Sequence, residues 1–228
     1  MSESRCPFHH APERTASVGL ADRLRHDTRE QHERAESQPF QQRFVTGSIT
    51  SEEYGRFLEQ MHAVHVVLDD VLRRGRDTHP AIAALHLDRH DRVAQLEADL
   101  NALERTPSDA PLPATTRYTD ALTAYATDNP AALIGVLYVK EGATNGNKIV
   151  VRRITDALDL EPGVASSYLD PYGADQRKHW MAFRETLETL PLTAEEQDAV
   201  VAGAAETFEM IMAISAELEA SCNTAVSA

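Results

Sequence analysis

Leu20 and Leu24 stand four residues apart and open a stripe that continues through Thr28, His32 and Ala35. Residues that recur every three to four positions share one face of a helix, so this spacing predicts an amphipathic helix. Pro39 is expected to close it, because proline restricts the residue before it. A second pattern starts at Thr50, with Glu53 three residues on, and runs through Tyr54, Phe57, Leu58, Met61, His65, Leu68 and Leu72. The Thr/Glu pair is a capping box, in which each side chain satisfies a backbone N–H of the other residue. Asp88 stands where it can cap a third helix, with Val93, Leu96, Leu100 and Leu103 on one face, and the proline-rich TPSDAPLP ends it.

Thr115 to Thr127 reads as a shorter fourth helix. Asn129 and Pro130 form an N-cap and first-turn pair ahead of one long helical run, AALIGVLYVKEGATNGNKIVVRRITDAL. Ala174 to Leu190 gives a further helix, and a second capping box, Thr193 with Glu196, introduces the last. Its inward positions are Val200, Ala204, Phe208, Ile211, Met212 and Leu218. No alternation of period two competes anywhere. The pattern predicts an all-α single domain over residues 17–228, a bundle of about seven or eight helices. Residues 1–16 read as a disordered lead-in.

Composition narrows the function classes. At 228 residues the chain is long enough for one sizeable core. Its 22 basic and 36 acidic residues give a net charge of −14, which argues against nucleic acid or an anionic membrane as partner. The first residues lack the apolar centre of a signal peptide, and no apolar run reaches the roughly 18 residues of a membrane span. Cys6 and Cys222 lie near opposite ends, so no disulfide framework or CxxC metal pair is expected and a reducing cytoplasm is the natural setting.

The chemical clue lies in EGATNGN. Gly142 and Gly146 are four apart, on one face of a helix interior where each costs about 1 kcal/mol relative to alanine. Close helix packing is one reason to keep them; the approach of a flat ligand, or a kink, is another.

Leu24, Thr28, His32, Ala35 and Glu36, followed by LYVKEGATNGN, YLDPYG and Trp180-x-x-Phe183, resemble a bacterial haem oxygenase, particularly the subfamily associated with bacterial phytochromes. The resemblance runs from about residue 18 to the last helix. It implies an all-α fold and oxidative opening of haem b, both cofactor and substrate, to biliverdin with release of CO and ferrous iron. It implies His32 as the axial ligand of the iron, with Glu36 one turn on to fix the imidazole. It places Gly142, Gly146 and Asn147 over the opposite face of the porphyrin, and Arg25, Arg177 and Lys178 as cations for the propionates. Trp180, Phe183 and Phe208 are expected to be core. Three O2 molecules and electrons from a ferredoxin, a flavodoxin or an NADPH-linked reductase are implied, since the chain has no GxGxxG fingerprint or iron–sulfur cysteines. A bacteriophytochrome is the implied biliverdin acceptor, with iron acquisition the competing use.

Two positions depart from the family pattern. Ala143 stands where animal members carry an aspartate, and Asn147 stands where a second glycine is common. Two other readings compete with the enzyme. Glu59-x-x-His62, with Glu141 and His179, has the residue types of a non-haem di-iron oxidase. A haem carrier or sensor without turnover would use the same His32. Cys6-Pro7 resembles a haem-regulatory dipeptide, set against the plain reading of a tail. A thiaminase-like activity is disfavoured for want of a catalytic cysteine.

Overall fold

The computed structural model describes residues 19–161 and 163–226, with side chains to residue 222; the lead-in and Cys6 lie outside the described residues. Eleven α-helices and two short 3-10 turns make up the described chain, with no strand among the described residues. The all-α expectation holds with more helices than predicted. One of the additional helices is the short α5 (Pro80–Leu85), which opens on Pro80; the others arise at three further places.

The first is at Thr28. Its hydroxyl donates to the Leu24 carbonyl at 2.8 Å and its backbone leaves the helical region, dividing α1 (Leu20–Asp27) from α2 (Arg29–Glu36). The second is Pro39, which opens a helix instead of closing one: α3 (Pro39–Thr46) begins on it, where the missing N–H costs nothing. The third lies inside the long run. α8 (Ala132–Ala143) ends at a turn over residues 144–146 and α9 (Asn147–Leu158) leaves it.

Both capping boxes form. Glu53 N donates to Thr50 Oγ1 at 3.2 Å and Thr50 N to Glu53 Oε2 at 2.8 Å, opening α4 (Ser51–Thr78); Thr193 and Glu196 repeat the exchange before α11 (Ala194–Val226). The Asp88 cap is corrected. Asp88 starts a 3-10 turn, and the first N–H groups of α6 (Val93–Ala102) are capped from across the bundle, Arg92 N and Val93 N donating to Asp69 Oδ2 on α4 at 2.7 and 3.1 Å. Nor does Asn129 cap α8, which starts after a turn without a side-chain cap.

α4, α8 and α11 form the middle of the bundle, ringed by α5 (Pro80–Leu85), α6, α7 (Pro113–Asp128), α10 (Gln176–Glu188) and α1–α3. α11 packs most extensively on α8, and the two cross where both backbones lack a side chain. A Cβ at Gly135 would strike the Val200 carbonyl oxygen, and one at Gly203 the Ala132 carbonyl oxygen, so nothing larger than glycine fits either position. By length and composition Ala194–Cys222 of α11 passes as a membrane span, contrary to the sequence expectation, yet it packs against α8, α7, α2 and α3 as a core helix.

Candidate functional site

A cavity of about 540 Å³ opens between α2–α3 on one side and the α8–α9 break on the other. His32, Ala35 and Glu36 line it from α2; Gly142, Ala143, Gly146 and Asn147 line it from the break. The two sequence segments singled out separately therefore meet on one cavity. That volume lies within the roughly 300–1,000 Å³ of sites that enclose cofactor-sized ligands.

His32 is about half exposed, and its Nδ1 lies 3.7 Å from Glu36 Oε2, too long for a direct hydrogen bond but close enough to bias the tautomer through charge or one water. Among the described residues Nε2 has no hydrogen-bond partner. The imidazole ring stands edge-on to Phe208, centroids 5.5 Å apart. Phe208 was expected to be ordinary core; it lines the cavity from α11 and braces His32.

On the opposite wall the turn is made by i→i−3 bonds, Asn145 N to Gly142 O at 3.1 Å and Gly146 N to Ala143 O at 3.3 Å. A Cβ at Gly146 would meet nothing closer than Ala143 O at 4.0 Å, and one at Gly142 would sit 3.5 Å from the Trp180 ring, an ordinary contact. Space inside the protein does not demand either glycine. Both leave bare backbone facing the cavity.

Side chains bolt this turn in place. Arg92 Nη2 donates to Glu141 Oε1 at 2.6 Å, and Tyr172 Oη donates to Glu141 Oε2 at 2.9 Å, all three in a largely buried network. Burial raises the Glu141 carboxyl above its usual range and the Arg92 guanidinium opposes that. Gln176 donates to the Thr144 hydroxyl, and Asn147 Nδ2 donates to the Leu169 carbonyl at 2.8 Å. Asn147, the unusual residue, thus ties α9 to the loop before α10; one of its two amide N–H groups is used there.

His65 is the site residue that sequence reasoning placed in the core. It is 2% exposed, lines the cavity, and its Nδ1 pairs with Asp69 Oδ1 at 3.0 Å. With Asp69 accepting at Nδ1, Nε2 carries no proton and has no partner. Desolvation lowers its pKa to about 4, the Asp69 hydrogen bond opposing, so the ring is neutral at pH 7. The signal available in sequence was His65-x-x-x-Asp69 at one-turn spacing inside an apolar stripe.

The cations named for the rim stand elsewhere. Arg25, Arg177 and Lys178 are exposed, and none lines the cavity; Arg92 and Lys140 do. The di-iron arrangement is not assembled. Arg105 Nε holds Glu59 at 2.9 Å, His62 faces Glu97 at 3.6 Å, Arg92 holds Glu141, and His179 lies against Tyr172. Among the described residues no three His, Cys, Asp or Glu side chains converge as a metal site.

The "Heme oxygenase" family profile matches residues 18–217. This chain belongs to the haem oxygenase family. Among curated relatives, heme oxygenase 1 of Synechocystis sp. is 24% identical over 210 residues, covering 89% of this chain and 86% of its own. Among solved structures, heme oxygenase from Leptospira interrogans superposes with a TM-score of 0.82 at 26% identity, over 88% of this chain and 100% of the other. Heme oxygenase-2 from Synechocystis sp., in complex with heme and NO, gives 0.84 at 25% identity, over 92% and 88%. The cavity of this chain suits a haem, with an imidazole on one wall and bare helix backbone on the other.

Proposed function

We propose that this chain is a haem oxygenase that opens haem b to biliverdin, CO and ferrous iron, with His32 as the proximal ligand. The observation that carries the reading is that His32 and the Gly142–Gly146 turn line opposite sides of one cavity. Glu36 accepts from the ligating ring through one water and raises its basicity. Phe208 fixes the ring plane. The haem supplies the redox chemistry that activates O2 and is itself the carbon skeleton attacked.

What the protein adds is position and exclusion of water. Bare backbone at Gly142 and Gly146 would leave room for a porphyrin against the α8–α9 break, and Met61, Leu137 and Phe208, which line the cavity, would shield it from water. His65 Nε2 accepts a hydrogen bond from a water in the cavity, a task for which Ala143, without a polar side chain, is unsuited. Arg25, Arg177 and Lys178, exposed and outside the cavity lining, serve the docking of an electron donor of the ferredoxin or flavodoxin kind, in the cytoplasm. Supply of biliverdin to a bacteriophytochrome is the proposed use.

Haemin titration, then a ferredoxin–reductase system under air, tests the reading. A Soret band saturating at one equivalent and bleaching into biliverdin absorption is expected. Saturable binding without bleaching contradicts the enzyme and leaves a carrier or sensor; no saturable binding contradicts both.

A further inference from the structure

One charge in the cavity wall has no use in the arrangement above. Lys140 sits on α8 two residues before Gly142 and lines the cavity. Its Nζ lies 3.9 Å from Met61 Sδ and 5.6 Å from the centre of the Tyr118 ring, and among the described residues it makes no ion pair. The charged groups around it are already matched. On α4, Asp69 accepts from His65 with one oxygen and from two backbone N–H groups with the other. Before α6, Arg92 is paired with Glu141 of α8. α7 offers Tyr118, whose pKa burial pushes up, and α11 offers Phe208 and Ile211, which do not titrate.

An ammonium in a half-buried place without a carboxylate is costly, and a leucine or methionine would fill the volume at less expense. Burial lowers the Lys140 pKa to about 8, so it still carries its charge over most of the neutral range. A cation kept unpaired at a cavity wall is compensated by what enters the cavity.

We infer that Lys140 is an anion-stabilising centre: its ammonium holds a small anion, or a ligand gaining negative charge, bound to haem iron on the α8 side. The inference rests on the haem reading. Asp69 keeps His65 as an acceptor on the same cavity, so a cationic donor and a neutral acceptor face the ligand together. A preorganised charge in a water-poor site stabilises developing negative charge far more than it would in water.

The test uses the ferric haem complex of the full chain, titrated with sodium azide and followed by its Soret band. Wild type is compared with Lys140→Met and Lys140→Arg at about pH 6.5 and about pH 9.5, with imidazole as the neutral ligand. At the lower pH, loss of the charge is expected to weaken azide about tenfold, while imidazole changes by less than about twofold. Lys140→Arg is expected to keep the azide affinity at both pH values. The ratio of wild type to Lys140→Met is expected to fall toward one at the higher pH, where the amine is neutral. Equal azide affinity in wild type and Lys140→Met overturns the inference, as does an equal loss for imidazole. Failure of the wild-type chain to take up haem at all defeats the proposed function as well, whereas normal uptake with charge-independent azide binding defeats only this inference.

Discussion

Two pairs of glycines divide the labour of this fold. At Gly135 and Gly203 a single added carbon would collide with backbone of the facing helix, so α8 and α11 cross only because both side chains are missing. At Gly142, about two turns further along the same α8, and at Gly146 just past its end, an added carbon meets the Trp180 ring at 3.5 Å in one case and nothing closer than 4.0 Å in the other. The first pair is required by packing against protein; the second leaves backbone bare toward a cavity. The lesson is that small residues at helical spacing say only that something approaches closely. What approaches is decided by which helix, or none, stands opposite.

The largest expected effect is at the crossing. Gly203→Val forces α8 and α11 apart and is expected to cost about 3 kcal/mol or more in urea unfolding, since overpacking against backbone has no rotamer escape. A loss below about 1 kcal/mol would break the comparison. Next is the frame of the turn: Arg92→Met leaves the Glu141 carboxylate buried without its partner and is expected to cost about 3 kcal/mol, read by the same melt.

Acid should sharpen the contrast from the other side. His65 is neutral and buried, with a folded-state pKa of about 4 against 6.5 for the free group. Between those values the unfolded chain binds the extra proton, so stability falls as pH drops from about 6.5 to about 4. His65→Phe is expected to flatten that slope by of the order of 3 kcal/mol across the window, measured as unfolding free energy against pH. An unchanged slope would mean that His65 is not held neutral. Smallest is Gly146→Ala, whose backbone is already in the right-handed helical region. It is expected to stabilise the chain by about 0.5–1 kcal/mol, through the unfolded state. A loss there would show that the second glycine pair also serves packing.

Helical periodicity made most of the bundle legible, because α4, α7, α10 and α11 bury continuous stripes and the Thr50 and Thr193 boxes mark two starts. It missed the breaks at Thr28 and at residues 144–146, since neither interrupts the apolar spacing. The cap of α6 was illegible for another reason: Asp69 is 23 residues upstream of Arg92 and reaches α6 only through tertiary packing. In the site, His32, Glu36, Gly142, Gly146 and Asn147 were named from sequence and do share a cavity. His65 and Phe208 were read as core because a stripe on a helix does not reveal that part of its wall is a cavity. Arg25, Arg177 and Lys178 were chosen by charge and neighbourhood in the chain, and charge on an exposed helix carries no information about which way the cavity opens.

The central claim is that His32 holds haem across from the Gly142–Gly146 turn. The most direct test is the absorption spectrum of the haem complex of His32→Gly, recorded without and then with added imidazole. The account expects a weakened, altered Soret band that imidazole restores to the wild-type position, because the small ligand refills the place of the missing ring. A His32→Gly complex with the wild-type spectrum, indifferent to imidazole, would contradict it.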